Sequence, residues 1–128
     1  MEADASQYQQ NIRAAVLKVQ AQIRWKPGKE LQHLQTRIEY GHLPSSATML
    51  EYEAIIQHII HDGNAEIFAY IWPNAVYATV VSYYMGNRWL VMFSFNGVME
   101  TAFPPTDPEE YLADSRFRYM STLQELIT

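Results

Sequence analysis

The side chains best suited to chemistry in this sequence are basic or hydroxylic, and they fall in two separate stretches. His33, Arg37 and His42 lie close together, whereas Arg88 and Thr101 follow far downstream. Such a set suits metal-independent RNA cleavage, in which a base takes the 2′-hydroxyl proton, a cation stabilises the phosphorane, and an acid protonates the leaving 5′-oxygen. Histidine carries protons near neutral pH, and the arginine fork binds phosphate. The alternative is that a helix face with His and Arg is simply solvated.

Other common kinds of site have weaker support. The chain has no cysteine, which excludes disulfides, thiolate metal sites and cysteine nucleophiles. His58 and His61 stand three residues apart near the predicted end of a helix, and such a pair can bind zinc. Helix carboxyl termini also favour histidine for electrostatic reasons, and no HExxH pattern accompanies this pair. We therefore expect neither a metal site nor a cofactor.

The first half of the chain is predicted to be helical. Residues 1–7 show no periodic pattern and are expected to lack regular structure. Apolar residues then recur at helical spacing in three segments: Gln9 to Trp25, Lys29 to Tyr40 and Met49 to His61. Thr48 followed by Glu51 predicts a capping box at the start of the third segment. The predicted helical region therefore covers residues 8–62.

In the second half the apolar period changes from 3.6 to 2, which is typical of strands. Four segments rich in β-branched and aromatic residues follow one another: Glu66–Trp72, Val76–Tyr84, Arg88–Phe95 and Val98–Phe103. Asn96-Gly97 predicts a type I′ hairpin turn, and short turns make successive strands antiparallel. Asp107 followed by Pro108 predicts a helix start, and residues 107–128 are predicted to be helical.

The expected fold is a single α+β domain spanning residues 1–128. Amino-terminal helices pack on a four-stranded antiparallel meander formed by residues 65–104, and short carboxy-terminal helices follow. The 128-residue length agrees with one domain.

Charge is distributed unevenly along the chain. The net charge is −5 and the isoelectric point is near 5.2, which argues against a non-specific nucleic-acid binder. Residues 13–37 nevertheless carry +5, either by chance or as a surface that faces an anion. No apolar run approaches the ~20 residues of a membrane span, and the amino terminus lacks the features of a signal peptide. We therefore expect a cytoplasmic protein without membrane contact.

The order of motifs resembles the barnase–EndoU–colicin–RelE group of small nucleases, particularly its phage and polymorphic-toxin branches. The likeness covers roughly residues 30 to 118 and rests on HLQTRIEYGH, WLVMFSFNGVMETAFPP and YLADSRF. Such domains pack amino-terminal helices on a four-stranded antiparallel sheet. Their last strand often ends in Thr-Ala-aromatic, here Thr101-Ala102-Phe103, before a short helix with a Tyr-Leu pair, here Tyr111-Leu112.

The resemblance implies a toxin-type ribonuclease with RNA or tRNA as substrate and an immunity or antitoxin protein as partner. Thr101 matches the strand hydroxyl, and His33, Arg37 or His42 would be the residues placed opposite it. The residues expected to bind substrate are Lys29, Tyr83 and Arg88.

Two features depart from the pattern of that group, namely the acidic isoelectric point and the sheet's single predicted cation, Arg88. They favour the alternative of a non-enzymatic accessory or immunity-type protein. A third hypothesis is self-association through the aromatic strands, since aromatic residues are enriched at interfaces.

Overall fold

A computed structural model describes residues 5–128, which form helices and one sheet. The helices are α1 (Ala5–Ala21), α2 (Glu30–Glu39), α3 (Met49–His61), α4 (Pro108–Leu112) and α5 (Leu123–Ile127). The strands are β1 (Arg24–Trp25), β2 (Glu66–Trp72), β3 (Ala75–Tyr84), β4 (Asn87–Ser94), β5 (Val98–Phe103) and β6 (Phe117–Thr122). The predicted α+β class is confirmed. Of the segment expected to lack regular structure, residues 1–4 lie outside the described residues, and residues 5–7 are helical.

The described sheet has six strands in the order β1-β5-β4-β3-β2-β6. Strands β2 to β5 pair antiparallel in chain order, as the short turns predict. The predicted four-stranded meander is therefore present, but the sheet is larger than predicted, because β1 adds to β5 in parallel and β6 adds to β2 in antiparallel orientation.

Both additional strands lie in segments that were predicted to be helical. The first helix ends at Ala21 instead of Trp25, and Arg24 and Trp25 pair with β5. Two residues are too few to show a period, so the sequence carries no signal for β1. Strand β6 interrupts the helix predicted over residues 107–128. Its sequence, FRYMST, is rich in aromatic and hydroxylic β-formers, so the sequence does carry a signal for strand β6.

The two faces of the sheet are covered differently. Helices α1 and α3 contact β3 on one face, where the main core forms from residues including Ile12, Val16, Tyr52, Ile56, Ile59, Val80, Val91 and Phe93. The predicted capping box at the start of α3 is confirmed, since Thr48 and Glu51 each bind the other's backbone N–H. The opposite face carries a smaller cluster of Phe68, Val81, Leu90 and Met92, with several aromatic rings packed against it.

The turn between β4 and β5 differs from the prediction. It is a three-residue loop in which the Gly97 N–H donates to the Ser94 carbonyl at 2.9 Å. Gly97 has a φ of +80°. Asn96 does not have a positive φ, because Met85 is the one non-glycine residue in the described chain that has one. A type I′ turn needs positive φ at both central residues, so it is excluded at Asn96-Gly97. Met85-Gly86, between β3 and β4, has that backbone instead.

A β-bulge follows immediately on β5. Met92 pairs with Thr101 and Phe93 pairs with Met99, which leaves Glu100 as the extra residue. Simple alternation would place Met99 and Thr101 on the same face. The bulge separates them, so that Met99 joins the helix-covered core and Thr101 shares the opposite face with Met92.

Candidate functional site

A cleft of about 450 Å³, here called the α2–β5 cleft, lies between helix α2 and the edge of the sheet. Its lining residues are Lys26, Lys29, Gln32, His33, Thr36, Arg37, Met99, Glu100 and Thr101. Three of the four predicted catalytic residues, namely His33, Arg37 and Thr101, therefore lie together with Lys29. The cleft joins residues that are 64 positions apart in the chain, from Arg37 to Thr101.

Local structure explains how each side of the cleft is held. Gly28, with a φ of +78°, turns the chain after β1, and the Lys29 N–H donates to the Lys26 carbonyl at 3.0 Å. His33 and Arg37 are four residues apart in α2 and therefore share one face. On the strand side, the buried Tyr52 hydroxyl donates to the carbonyl of Ala102, next to Thr101, at 2.6 Å. This hydrogen bond anchors β5 to α3.

Arg37 is a buried cation that forms no ion pair within residues 5–128. Its side chain is 7% exposed, and its Nε and Nη1 atoms are buried without a hydrogen-bond partner in the described chain. The Cζ atom lies 5.2 Å from the Phe103 ring centroid and 6.0 Å from that of Tyr40. Burial lowers the pKa of Arg37 below its ordinary value, although nearby tyrosines oppose this. Buried charges are ordinarily paired, so an anion bound in the cleft that Arg37 lines would stabilise the guanidinium.

His33 has the properties of a neutral base. Its ring lies 5.2 Å from that of Trp25, whose indole N–H donates to the Glu53 carboxylate at 2.9 Å. Burial lowers the pKa of His33 below the ordinary 6.5, and the positive charge of Arg37 lowers it further, whereas Glu100 raises it. The imidazole is therefore neutral at pH 7 and able to accept a proton.

The remaining polar lining of the α2–β5 cleft was not predicted, Lys29 excepted. Lys26 forms an ion pair with Glu100 at 3.5 Å, and Lys29 donates to Gln32 at 3.3 Å. Gln32 and Thr36 precede His33 and Arg37 by one position and are themselves four residues apart. Helical spacing therefore indicates that they share a helix face near the cleft. No comparable signal exists for Lys26 and Glu100, because β1 and the bulge place them.

His42, Tyr83 and Arg88 do not line the α2–β5 cleft, and this part of the predicted site is separate. They share a second cleft of about 930 Å³, here called the turn cleft. It lies between the end of α2, the β3–β4 turn and residues 104–109. The His42 ring stacks on Tyr40 with centroids 5.9 Å apart, and its Nδ1 atom is buried without a hydrogen-bond partner among the described residues. Arg88 forms an ion pair with Glu66, which neutralises its charge.

The predictions about metal binding and membrane spans concern parts of the chain outside these two clefts. No group of three or more potential metal ligands is found within residues 5–128. His58 packs edge-on against Tyr84, and the His61 Nδ1 atom lies 2.8 Å from the Gln57 carbonyl oxygen. None of the helices in this part of the chain is long and apolar enough to cross a bilayer.

Only part of the basic 13–37 segment lies at the α2–β5 cleft. Lys26, Lys29 and Arg37 line it. Arg24 instead donates to the Asn96 carbonyl at 3.0 Å, in the turn before β5. A continuous anion-facing surface along the segment stays a prediction.

Comparison of the chain with protein-family models, with curated proteins and with solved structures finds no match. The resemblance to small nucleases, which rests on short motifs, therefore stays a prediction.

Proposed function

We propose that this protein cleaves RNA at the α2–β5 cleft without a metal ion. One observation carries the proposal: His33, Arg37 and Thr101 line one cleft although the chain separates them widely. The three side chains supply a proton acceptor, a phosphate-binding cation and a hydroxyl group. These groups serve transfer of the phosphoryl group to the 2′-oxygen, and the proton for the leaving 5′-oxygen comes from water.

The reaction follows from the position and protonation of these groups. Neutral His33 accepts the proton of the 2′-hydroxyl as the O2′–P bond forms and the P–O5′ bond breaks. Arg37 and Thr101 both line the cleft, and the guanidinium and the hydroxyl donate to the phosphorane oxygens. The leaving oxygen takes a proton from water, and the products carry a 2′,3′-cyclic phosphate and a 5′-hydroxyl.

The test is an RNA-degradation assay with EDTA present. Wild-type protein should release 2′,3′-cyclic phosphate ends, and Thr101→Val and His33→Gln should each reduce cleavage about tenfold or more. Thr79→Val is the matched control. Thr79 lies in the same cross-strand row as Thr101, but its hydroxyl is buried without a partner. Its loss should leave cleavage unchanged.

Two results would contradict the proposal. One is a wild-type protein that leaves RNA intact under these conditions. The other is a Thr101→Val variant that cleaves as fast as Thr79→Val, since the hydroxyl would then have no part in the reaction.

We propose protein binding as the second candidate function. The chain would then be an accessory domain, or a domain that an immunity or antitoxin protein inhibits. The observation that favours it is the exposure of Trp72 (44%) and Tyr119 (52%) on the face opposite the long helices. An immunity or antitoxin protein encoded beside this chain is the expected partner. Co-expression followed by size-exclusion chromatography should give a complex that Trp72→Ser weakens, and absence of a complex would refute this candidate.

A further inference from the structure

The α2–β5 cleft and the turn cleft are neighbours, and Arg37 lies between them. Arg37 lines the first cleft, and its guanidinium lies over the ring of Tyr40, which lines the second. On the sheet side, Thr101 lines the first and Pro104 lines the second. Three residues of extended chain span on the order of 10 Å. One or two nucleotides of a single strand can bridge that separation.

The turn cleft presents free aromatic surface. Tyr40 is 71% exposed and Tyr83 is 62% exposed, although both rings are large and apolar. The Tyr40 ring packs beside His42 and the Arg37 guanidinium, and the Arg88 guanidinium lies 5.9 Å from the Tyr83 centroid. Their outward surfaces are therefore available for a planar ligand, and aromatic side chains stack on nucleobases of any sequence.

The charges of the turn cleft favour a base over a phosphate. Arg88 is paired with Glu66, and burial and Arg37 keep the pKa of His42 below its ordinary value, so that its ring is neutral at pH 7. Asp107 and Glu109 also line the turn cleft. Carboxylates repel phosphate but accept hydrogen bonds from the exocyclic amino groups of bases.

We propose that the turn cleft is the base-binding subsite of this protein for single-stranded RNA. In this arrangement, which rests on the proposed function, the phosphate to be cleaved binds at Arg37 and an adjacent base stacks against Tyr40 and Tyr83. A duplex is excluded as substrate at this subsite, because stacking on these rings needs a base that is free of its partner strand.

Binding of an uncleavable strand tests the subsite separately from catalysis. A fluorescent oligoribonucleotide with 2′-O-methyl sugars has no nucleophile, so its anisotropy reports affinity alone. Tyr40→Ala and Tyr83→Ala should each weaken binding about tenfold, the usual effect of losing one stacked ring. Tyr40→Phe and Tyr83→Phe should bind like the wild type.

Tyr119→Ala is the matched control, since Tyr119 is an exposed strand tyrosine on β6, at the opposite edge of the sheet from β5. The Tyr119→Ala variant should bind the methylated strand with wild-type affinity. A sugar–phosphate oligomer without bases should bind equally to wild type and Tyr83→Ala, because the lost contact is to the base. Thermal unfolding of each variant checks that the domain is folded.

The outcomes separate the two proposals. Weaker binding by both alanine variants supports the base subsite, even if unmodified RNA is not cleaved, in which case only the proposed cleavage fails. The base subsite is overturned if the wild type does not bind the methylated strand. It is equally overturned if folded Tyr40→Ala and Tyr83→Ala bind as tightly as Tyr119→Ala.

Discussion

The guanidinium of Arg37 lies over the ring of Phe103, with the Cζ atom 5.2 Å from the ring centroid. This contact joins helix α2 to the end of strand β5 without an ion pair. The positive charge is thus held against an aromatic face, and two of its nitrogen atoms have no partner in the described chain. Arg37 also lines the α2–β5 cleft, where an anion would compensate its charge.

Arg37→Met should abolish most cleavage while leaving the fold at least as stable. The loss of a charged donor to the phosphorane should lower the rate about 100-fold. Removing unpartnered buried donors relieves about 1–3 kcal/mol, and the lost cation–π contacts cost about 0.5–2 kcal/mol. The free energy of unfolding should therefore stay the same or rise slightly. Urea unfolding and the cleavage assay measure the two quantities.

Arg116→Met is the control for that substitution. Arg116 lies over the Trp72 ring at 4.5 Å, as Arg37 lies over Phe103, but it also bonds to Asp114 through its Nε at 3.0 Å. Its replacement should leave cleavage unchanged. A large loss of stability in Arg37→Met would show that the cation is structural.

The pH profile of cleavage should respond in opposite directions to two substitutions in the α2–β5 cleft. The rate should rise with pH through the pKa of His33, because the neutral imidazole is the base. Glu100 raises that pKa and Lys29 lowers it. Glu100→Gln should therefore move the acid limb to lower pH, and Lys29→Gln should move it to higher pH.

Initial rates between pH 4.5 and 8 measure this shift. If both variants keep the wild-type profile, His33 is not the titrating base. Lys18→Gln removes the same charge as Lys29→Gln at a residue that does not line the cleft, so it should leave the pH profile of cleavage unchanged.

Stability should decrease as pH falls below about 6.5. Burial keeps the pKa values of His33 and His42 below that ordinary value, so the unfolded chain binds protons where the folded one does not. The stabilisation is complete above pH 6.5 and is lost as pH falls through the folded pKa values. Thermal unfolding at pH 7.5 and pH 5 should differ less in the double variant His33→Gln/His42→Gln.

Two carboxylates have a lowered pKa and titrate below that window. Asp114, whose pKa its bonds to Arg116 lower to about 2, responds only at lower pH, as does Glu125. An identical pH dependence in the wild type and the double variant would exclude the histidines as its cause.

Gly97→Ala should destabilise the protein more than Gly86→Ala. Both glycines have a positive φ near +80°, so alanine is strained at each by about 1 kcal/mol. At Gly97 the new Cβ would also lie 2.9 Å from the Cβ of Lys18, whereas nothing lies within 4 Å at Gly86. Urea unfolding measures both. Equal losses of unfolding free energy in the two variants would show that helix α1 shifts to accommodate the added methyl group.

Much of the local structure could be predicted from the sequence. Helical spacing predicts α2 and α3, the Thr48–Glu51 pattern predicts a capping box, and alternation predicts the four central strands. These features depend on residues within a few positions of each other, so a single segment carries the signal. The same holds for His33 and Arg37, which share a helix face because they are four residues apart.

The remaining features depend on pairing between distant segments. Arg24 and Trp25 become a strand only because β5 offers them hydrogen bonds, and β6 is a strand because β2 has a free edge. The turn at Gly97 leads into a bulge that alternation does not show. Sequence also placed His42 beside Arg37 and Thr101, but the loop after α2 carries it into the turn cleft.

The sequence by itself determined the chemical types that this protein has available: one helix with a histidine and an arginine on the same face, and a threonine near the end of a strand. Only the tertiary structure decided that they meet. The extra residue Glu100 puts Thr101 on the opposite side of β5 from Met99, and the parallel strand β1 brings α2 to that edge. Both depend on hydrogen bonding across the sheet, which no local pattern encodes.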